Sequence, residues 1–304
     1  MSDFRLYTLH DAECIIAANL HKLRQFDTII GVPRSGTIFA AFIATQLGVS
    51  LADVSTASRE LRVAKHGYTR WGIGDFGKCL LVEDVVNQGK STAQAFEVLK
   101  ITTGGVLSRE NVTTCSIWTN PKSAPNAVDI NLGGPHSERY GFSWQVWHSA
   151  LWPQWATDMD GVLCHDVPTH VETEEHYQKW AGQPTGKWLP RPKNKNKWPV
   201  GAVITSRPEG VRQQTQNWLR AQSVYYNNLV MAPGATQEDV NKNLKQMGLK
   251  RGHWKAKMAE QLGLKEFFIE SCPKQSQQIS ERFPGLVWCT DTQQRYRHGQ
   301  EVPK

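Results

Sequence analysis

Residues 78–92, reading Lys-Cys-Leu-Leu-Val-Glu-Asp-Val-Val-Asn-Gln-Gly-Lys-Ser-Thr, constrain the first half of this chain more than any other stretch. Leu80 to Val82 are apolar without alternation, which predicts a strand buried on both faces of a parallel sheet. Two adjacent carboxylates follow, then a turn with a glycine, then a helix start at which Ser91 and Thr92 are placed to cap. A strand that ends in a loop at a helix N-terminus presents backbone N–H groups and a positive dipole end to a phosphate. Two carboxylates just before that loop suit neighbouring sugar hydroxyls. A ribose 5-phosphate moiety is the ligand this combination fits.

Gly89-Lys90-Ser91 looks like the end of an ATP-type P-loop. That motif needs a glycine five positions before Gly89, and Asp84 stands there, so it is rejected. The order of apolar residues, two acids, two apolar residues, short loop, glycine and Ser/Thr instead resembles the PRPP-binding motif of type I phosphoribosyltransferases. The chain departs from it in the loop, where Asn87-Gln88 replaces the usual Thr-Thr pair. The resemblance implies that Glu83, Asp84, Asn87, Gln88, Gly89, Lys90 and Ser91 bind PRPP.

Upstream, Thr28-Ile29-Ile30 reads as a short buried strand running into Gly31-Val32-Pro33-Arg34-Ser35-Gly36, followed by a helix from Thr37 to Leu47 with Gly48 as its C-cap. The strand–loop–helix pattern repeats, and alternating strands and helices predict a parallel α/β sheet with ligands at the carboxyl ends of strands. The Pro33–Gly36 loop resembles the diphosphate-binding loop of the same family. By that resemblance Arg34 and Ser35 contact the diphosphate, and a cis peptide is expected near Arg34. Residues 57–77 are rich in glycine and basic side chains and read as a flexible segment. They stand where the family has the loop that closes over PRPP, which makes Arg59, Arg62 and Lys65 candidate diphosphate contacts. Beyond a strand at Asn111–Thr119, Trp144 and Trp147 stand where the family builds a hood over the acceptor base. They are candidates to stack on a planar base, and equally to act as glue between two domains.

The length of 304 residues suggests two domains, and a second chemistry begins at Trp155-Ala156-Thr157-Asp158-Met159-Asp160-Gly161. A strand ending in two carboxylates one residue apart can place one for in-line attack and the next for proton transfer. This resembles the first motif of haloacid dehalogenase-like phosphohydrolases, in which the first Asp becomes an aspartyl-phosphate and the second serves as acid and base. Three further stretches follow in order. Val203 to Pro208 resembles the second motif, with Thr205 the preferred phosphoryl-binding hydroxyl, Ser206 the alternative, and Arg207 a candidate substrate contact. His253 to Lys257 opens a helix like the third, with Lys255 preferred over Lys257. Glu266 to Ser271 resembles the fourth, which holds Mg²⁺. That motif usually carries two acids, and here Glu270 is followed by Ser271 and Cys272. The implied catalytic set is Asp158, Asp160, Thr205 and Lys255, and the implied metal set is Asp158, Asp160 through its carbonyl, and Glu270. Residues 165–199 occupy the position of a small cap, and the prolines and asparagines of 187–198 argue against a regular element there.

The expectation is therefore an α/β chain of two domains, each a mainly parallel sheet flanked by helices. Residues 1–150 would be phosphoribosyltransferase-like, and residues 151–304 dehalogenase-like and Rossmannoid with a small cap. The implied function is a bifunctional enzyme of nucleotide metabolism. It would transfer phosphoribosyl from PRPP to a nitrogen base and hydrolyse a phosphate monoester with Mg²⁺. Two alternatives stay open: a PRPP- or nucleotide-sensing regulator, and a nucleic-acid-end-processing phosphatase with a repurposed first domain. Six scattered cysteines without a Cys-x-x-Cys pair predict free thiols in a cytoplasmic protein rather than zinc or a disulfide framework. No leader and no membrane-spanning run is expected. The net charge of +7 suits anionic small substrates and equally weak contact with nucleic acid. Neither a membrane nor a nucleic acid is the expected partner, and a homodimer is left open.

Overall fold

The structure is a computed structural model and describes residues 4–55, 60–64, 76–123, 127–168, 173–189 and 198–302; of residues 55 and 60–64 it describes the backbone. The chain divides into two compact units, a first comprising Tyr7–Tyr140 and a second comprising Met1–Leu6 with Gly141–Lys304. The expected boundary near 150 thus falls ten residues earlier, and the opening strand β1 (Arg5–Tyr7) is divided, Tyr7 going to the first unit and Arg5 and Leu6 to the second. Phe4 and Leu6 are buried in the second unit's core, with Phe4 ringed by Trp155 and Phe267 at 5.5 and 5.0 Å. Arg295 Nη1 donates to Leu6 O at 2.8 Å and Arg297 Nη2 to Phe4 O at 2.7 Å, which ties the segment down.

The first unit is built on a sheet of β2 (Thr28–Gly31), β3 (Ser50–Ser55), β4 (Glu60–Ala64), β5 (Cys79–Val86), β6 (Val112–Thr119) and β7 (Ile130–Asn131) in the order β4-β3-β2-β5-β6-β7. All neighbours are parallel except β3 and β4. Helix α1 (Leu9–Leu23) starts in a capping box between Thr8 and Asp11. Helix α2 (Ser35–Leu47) ends at Gly48, whose φ of 67° supplies the left-handed cap. Helix α3 (Lys90–Thr102) buries Ala95, Phe96 and Leu99 against Ile30, Ala52, Cys79 and Leu81. Leu80 and Val82 alternate with Cys79 and Leu81 and so point to the other face of the sheet, where α2 lies across β2 and β5. Burial on both faces is why the strand core is apolar without alternation.

A short strand, β8 (Tyr140–Phe142), carries the chain into the second unit. There the strands are β9 (Trp155–Thr157), β10 (Val200–Pro208), β11 (Tyr226–Ala232), β12 (Phe267–Glu270), β13 (Leu286–Cys289), β14 (Arg295–Arg297) and β15 (Gln300–Glu301), in the order β11-β10-β9-β12-β13-β14-β15. The five from β11 to β13 are parallel. The helices are α4 (Glu174–Ala181), α5 (Arg212–Ala221), α6 (Gln237–Gln246), α7 (Arg251–Gln261) and α8 (Pro273–Ser280). Phe267 and Ile269 pack on one face with Trp155, Trp218 and Trp288, while Phe268 packs on the other with Trp254, Ala256 and Phe283. Helix α4, capped by Thr173, lies in the stretch expected to hold the cap. No helix among the described residues is long and apolar enough to cross a membrane, and all six cysteines are free.

Candidate active sites

In each sheet the chain leaves a central strand in one direction and later returns to its other side. In the first unit β2 leads to β3, and the chain comes back to β5; in the second, β9 leads to β10 and β11, and the chain comes back to β12. The paired strands β2/β5 and β9/β12 therefore flank switch points, where connecting loops diverge and leave a crevice at the carboxyl edge. The acid pair Glu83–Asp84 sits at the first of these edges, and Asp158, Lys255 and Glu270 at the second.

At the first, β2 ends at Gly31, which stands opposite Val82. Strand β5 runs on through Glu83 and Asp84 to Val86, so the two acids extend past the end of their neighbour. The Pro33–Arg34 peptide is cis, as the resemblance implies. Gly36, in the first turn of α2, is pressed on β5: a Cβ there would lie 2.5 Å from Val82 O and 3.1 Å from Glu83 Cα. The loop carrying exposed Arg34 and half-buried Ser35 thereby abuts the acid pair.

Glu83 and Asp84 are both buried. Thr92 Oγ1 donates to Glu83 Oε2 at 2.5 Å. Burial raises the Glu83 pKa, hydrogen bonds from Thr92 and Ser91 oppose that, and the Asp84 charge adds to it. Ser91 and Thr92 do not cap α3: Gly89, at φ 69°, is the N-cap residue and the first turn has no side-chain cap. With the helix beginning at Lys90, both hydroxyls fall inside it and the Thr92 hydroxyl goes to Glu83 instead. The uncapped N–H groups remain available to an anion. Asn87, Gln88 and Lys90 are exposed.

Asn87 is held from the side, accepting from Asn120 Nδ2 at 3.1 Å on its amide and from Ser123 Oγ at 2.6 Å on its carbonyl. Tyr140, which sequence reading passed over, also hydrogen-bonds the Asn87 side chain; burial raises its pKa and the Asp84 charge adds to this. Arg62 falls on β4, opposite Asp53 of β3, rather than in a loop. Arg59 and Lys65 lie outside the described residues. Trp144 and Trp147 belong to the second unit. Trp144 stacks on Phe142 at 4.9 Å. Trp147 packs against that unit's core, between Trp188 at 5.7 Å and Trp152 at 5.9 Å, so its ring serves this core and is not an open stacking face.

At the second edge, Asp158 follows β9 directly and its N–H donates to Ile269 O at 2.8 Å. Ile269 is in register with Thr157, which sets Glu270 beside Asp158. Lys255 Nζ, fully buried on α7, is 2.7 Å from both Asp158 Oδ2 and Glu270 Oε2. Lys257 is exposed, so of the two lysines Lys255 reaches the site. Burial pulls the Lys255 pKa down, but the two carboxylates outweigh it and keep the ammonium charged above its usual range. Burial and the Glu270 charge raise the Asp158 pKa, with Lys255 opposing. Asp158 Oδ1 is buried and has no hydrogen-bond partner among the described residues.

Asp160 is gripped by Arg207, whose Nε lies 3.0 Å from each carboxylate oxygen and whose Nη2 lies 2.7 Å from Oδ1. Arg207 is thus an internal partner of Asp160 rather than the substrate contact suggested by the sequence. Thr205 Oγ1 accepts from Arg207 N at 3.2 Å, while Ser206 Oγ is buried without a partner among the described residues. Cys164 Sγ also lies 3.3 Å from Asp160 Oδ1.

No group of three or more His, Cys, Asp or Glu among the described residues is arranged to hold a metal ion. Two hard oxygens suit a Mg²⁺ that keeps most of its water: Asp158 Oδ1, unbonded among the described residues, and the Asp160 carbonyl, which accepts from Ser271 Oγ at 3.2 Å. Glu270 does not fit as a direct ligand. Its Oε2 is taken by Lys255, and its Oε1 accepts from Ser271 N and Cys272 N at 3.0 and 3.1 Å.

Residues 8–150 match the family model described as the phosphoribosyl transferase domain. A comparison with curated proteins finds no match. Among solved structures, the chain is similar to a purine phosphoribosyltransferase from Pyrococcus horikoshii Ot3, at 23% identity and a TM-score of 0.34, over 47% of this chain and 94% of that one. It is also similar to the xanthine-guanine-hypoxanthine phosphoribosyltransferase of Helicobacter pylori, at 15% identity and a TM-score of 0.34, with the same coverage of 47% and 94%. A third is the orotate phosphoribosyltransferase of Aeropyrum pernix, at 22% identity and a TM-score of 0.28, over 39% of this chain and 65% of that one.

Proposed function

From the match of residues 8–150 to the family model of the phosphoribosyl transferase domain, we propose a bifunctional enzyme of nucleotide metabolism in a cytoplasmic setting. Its first unit transfers phosphoribosyl from PRPP to a nitrogen base. Its second unit hydrolyses a phosphate monoester, on the pattern of the dehalogenase-like hydrolases. The reading of the first unit is carried by the buried pair Glu83–Asp84, set beside an uncapped helix N-terminus at a switch point. The 5-phosphate would lie on the N–H groups of α3, and the two carboxylates would hold the ribose hydroxyls. A base nitrogen then bonds to C1 as the C1–O bond to diphosphate breaks, and the acids sit where they steady the positive charge that develops on the sugar. The Arg34–Ser35 loop would receive the diphosphate, with Arg59, Arg62 and Lys65 as further contacts.

The second reading is carried by the split roles of Asp158, with Oδ2 fixed by Lys255 and Oδ1 buried and unbonded. One carboxylate oxygen of Asp158 would attack phosphorus in line and form an aspartyl-phosphate as the ester oxygen leaves, the other being left to the metal. Asp160 would supply the leaving group's proton and later take one from the attacking water. Thr205 or Ser206 would hold the phosphoryl oxygens. When bound, Mg²⁺ would supply charge neutralisation to the phosphate oxygens at both sites; at the second, Asp158 and the Asp160 carbonyl would hold it.

Incubation with PRPP, Mg²⁺ and a panel of bases, with diphosphate and phosphate measured separately, tests both halves. Glu83→Gln with Asp84→Asn should remove diphosphate release alone, and Asp158→Asn phosphate release alone. Absence of diphosphate with every base sinks the transferase, and undiminished phosphate release from Asp158→Asn sinks the hydrolase.

A further inference from the structure

The second site is short of positive charge. Lys255 is shared by Asp158 and Glu270, and Arg207 is committed to Asp160, so three carboxylates face two cations. A phosphate monoester arriving as a dianion meets a net negative set of side chains. One more cation stands close by. Arg251 lies one helical turn before Lys255 on α7, on the same face. It has no carboxylate partner among the described residues: its Nη2 donates to two neutral amide oxygens, Gln237 Oε1 and Asn241 Oδ1, each at 2.9 Å. Those amides stand in the first two turns of α6, which follows β11, so the guanidinium is held on the carboxyl side of the sheet.

From α4 comes a second group without a use. Tyr177 is 6% exposed, packed with Val211 and Met231, which sit at the carboxyl ends of β10 and β11. Its hydroxyl is buried beside the Gln237 side chain, which hydrogen-bonds it outside ordinary geometry. Arg251 and Tyr177 lie close enough to feel each other's charge, Arg251 also feels Asp158, and Tyr177 feels Asp160. A guanidinium with Nε and Nη1 unspent, on the face of α7 that carries Lys255, and a buried phenol from α4 make a receptor for tetrahedral oxyanions.

We infer that Arg251, together with the Tyr177 hydroxyl, is the anion-binding arm of the second site and gives it a preference for dianionic phosphate monoesters over monoanionic diesters. The inference deepens the hydrolase reading and rests on it for the identity of the substrate, though not for the binding of phosphate itself.

The probe is inorganic phosphate, titrated calorimetrically into the full chain, with p-nitrophenyl phosphate turnover measured in parallel. Arg251→Gln should weaken phosphate roughly ten- to hundredfold, as expected for losing hydrogen bonds to a charged group. Arg251→Lys should recover part of this by keeping the charge without the fork. Tyr177→Phe should weaken phosphate by about two- to tenfold. For p-nitrophenyl phosphate the change should appear mainly in KM, and cleavage of bis-p-nitrophenyl phosphate should hardly move. Thermal unfolding identifies a variant that has lost its fold, and Tyr177→Phe, which removes one oxygen, keeps the test alive in that case. Phosphate affinity unchanged in both folded variants overturns the inference, as does a wild-type chain that binds no phosphate. A wild-type chain that binds phosphate through Arg251 but cleaves no monoester leaves the inference standing and removes the hydrolase reading.

Discussion

Arg207 and Asp160 meet as a fork, 47 residues apart in the chain, with Arg207 fully shielded from water and Asp160 half-buried. Trp180 stacks on the guanidinium at 4.8 Å, and Nη1 donates to Ala181 O and Thr215 Oγ1 at 2.8 and 3.2 Å. Burial alone would lower the Arg207 pKa, but the Asp160 charge outweighs it and keeps the group cationic. Arg207→Met strips the carboxylate of its cation, and breaking one side of such a pair costs about 3–5 kcal/mol. Arg207→Lys should recover only part, because a point charge cannot fill the fork. Urea unfolding followed by amide exchange in β10 reads the effect. An unchanged midpoint in Arg207→Met would show that the pair carries no stability.

Gly36→Ala tests the contact between the Arg34 loop and the acid pair. The added Cβ meets backbone on both sides, Val82 O at 2.5 Å and Glu83 Cα at 3.1 Å, and neither is the end of a flexible side chain. The expected loss is about 1–3 kcal/mol, as for other overpacked sites. PRPP affinity should fall with it, since the loop must back away from β5. Gly89→Ala is the contrast: nothing lies within 4 Å, but φ is 69°, so its penalty of roughly 1 kcal/mol comes from the backbone alone. Wild-type PRPP affinity in Gly36→Ala would remove the loop from the binding site.

Acid should weaken PRPP binding through Glu83. Burial sets the folded pKa of this group above the ordinary glutamate value. The carboxylate form that accepts from ribose hydroxyls is therefore lost on acidification at a higher pH than an exposed glutamate would be, and it is fully present only above the raised value. Titration of PRPP across the acid range should show affinity falling as pH drops through that point. Thr92→Val removes a bond that lowers the pKa, so the fall should move to higher pH. Glu83→Gln should flatten it. A pH profile identical in Thr92→Val and wild type would break the link between this pair and binding.

These two sites differ in how much of each could be read before folding. Glu83, Asp84 and Gly89 are neighbours in sequence and on one strand and turn, so their pattern is local. Lys255 was separable from Lys257 by helical position, and the two fall on opposite sides of α7. Partners joined across the sheet were invisible. Thr92 looks like a cap until the helix is seen to begin at Lys90. Arg207 looks like a substrate contact until β10 lies beside β9 and sets it against Asp160. Strand β4 lies in a glycine-bearing stretch whose composition argues for loop, and pairing with β3 overrides it.

The first residues of the chain provide a last test, because sequence order and structural membership disagree there. Phe4 and Leu6 are 1% and 0% exposed and pack in the core that holds Trp155, Phe267 and Trp288. Their carbonyls also take Arg295 and Arg297. Phe4→Ala leaves a cavity between Trp155 and Phe267, and large-to-small changes of this kind cost about 3–5 kcal/mol. That loss should fall on the second unit although the mutation lies at position 4. In full-length Phe4→Ala, amides of β9 and β12 should exchange faster while those of β2 and β5 keep their protection, and phosphate release should fail at a lower temperature than diphosphate release. Faster exchange confined to β2 and β5 would place the opening segment with the first unit instead. If the expected pattern is found, the second unit depends on residues at both ends of the chain, and a fragment beginning at residue 141 will lack part of its own core.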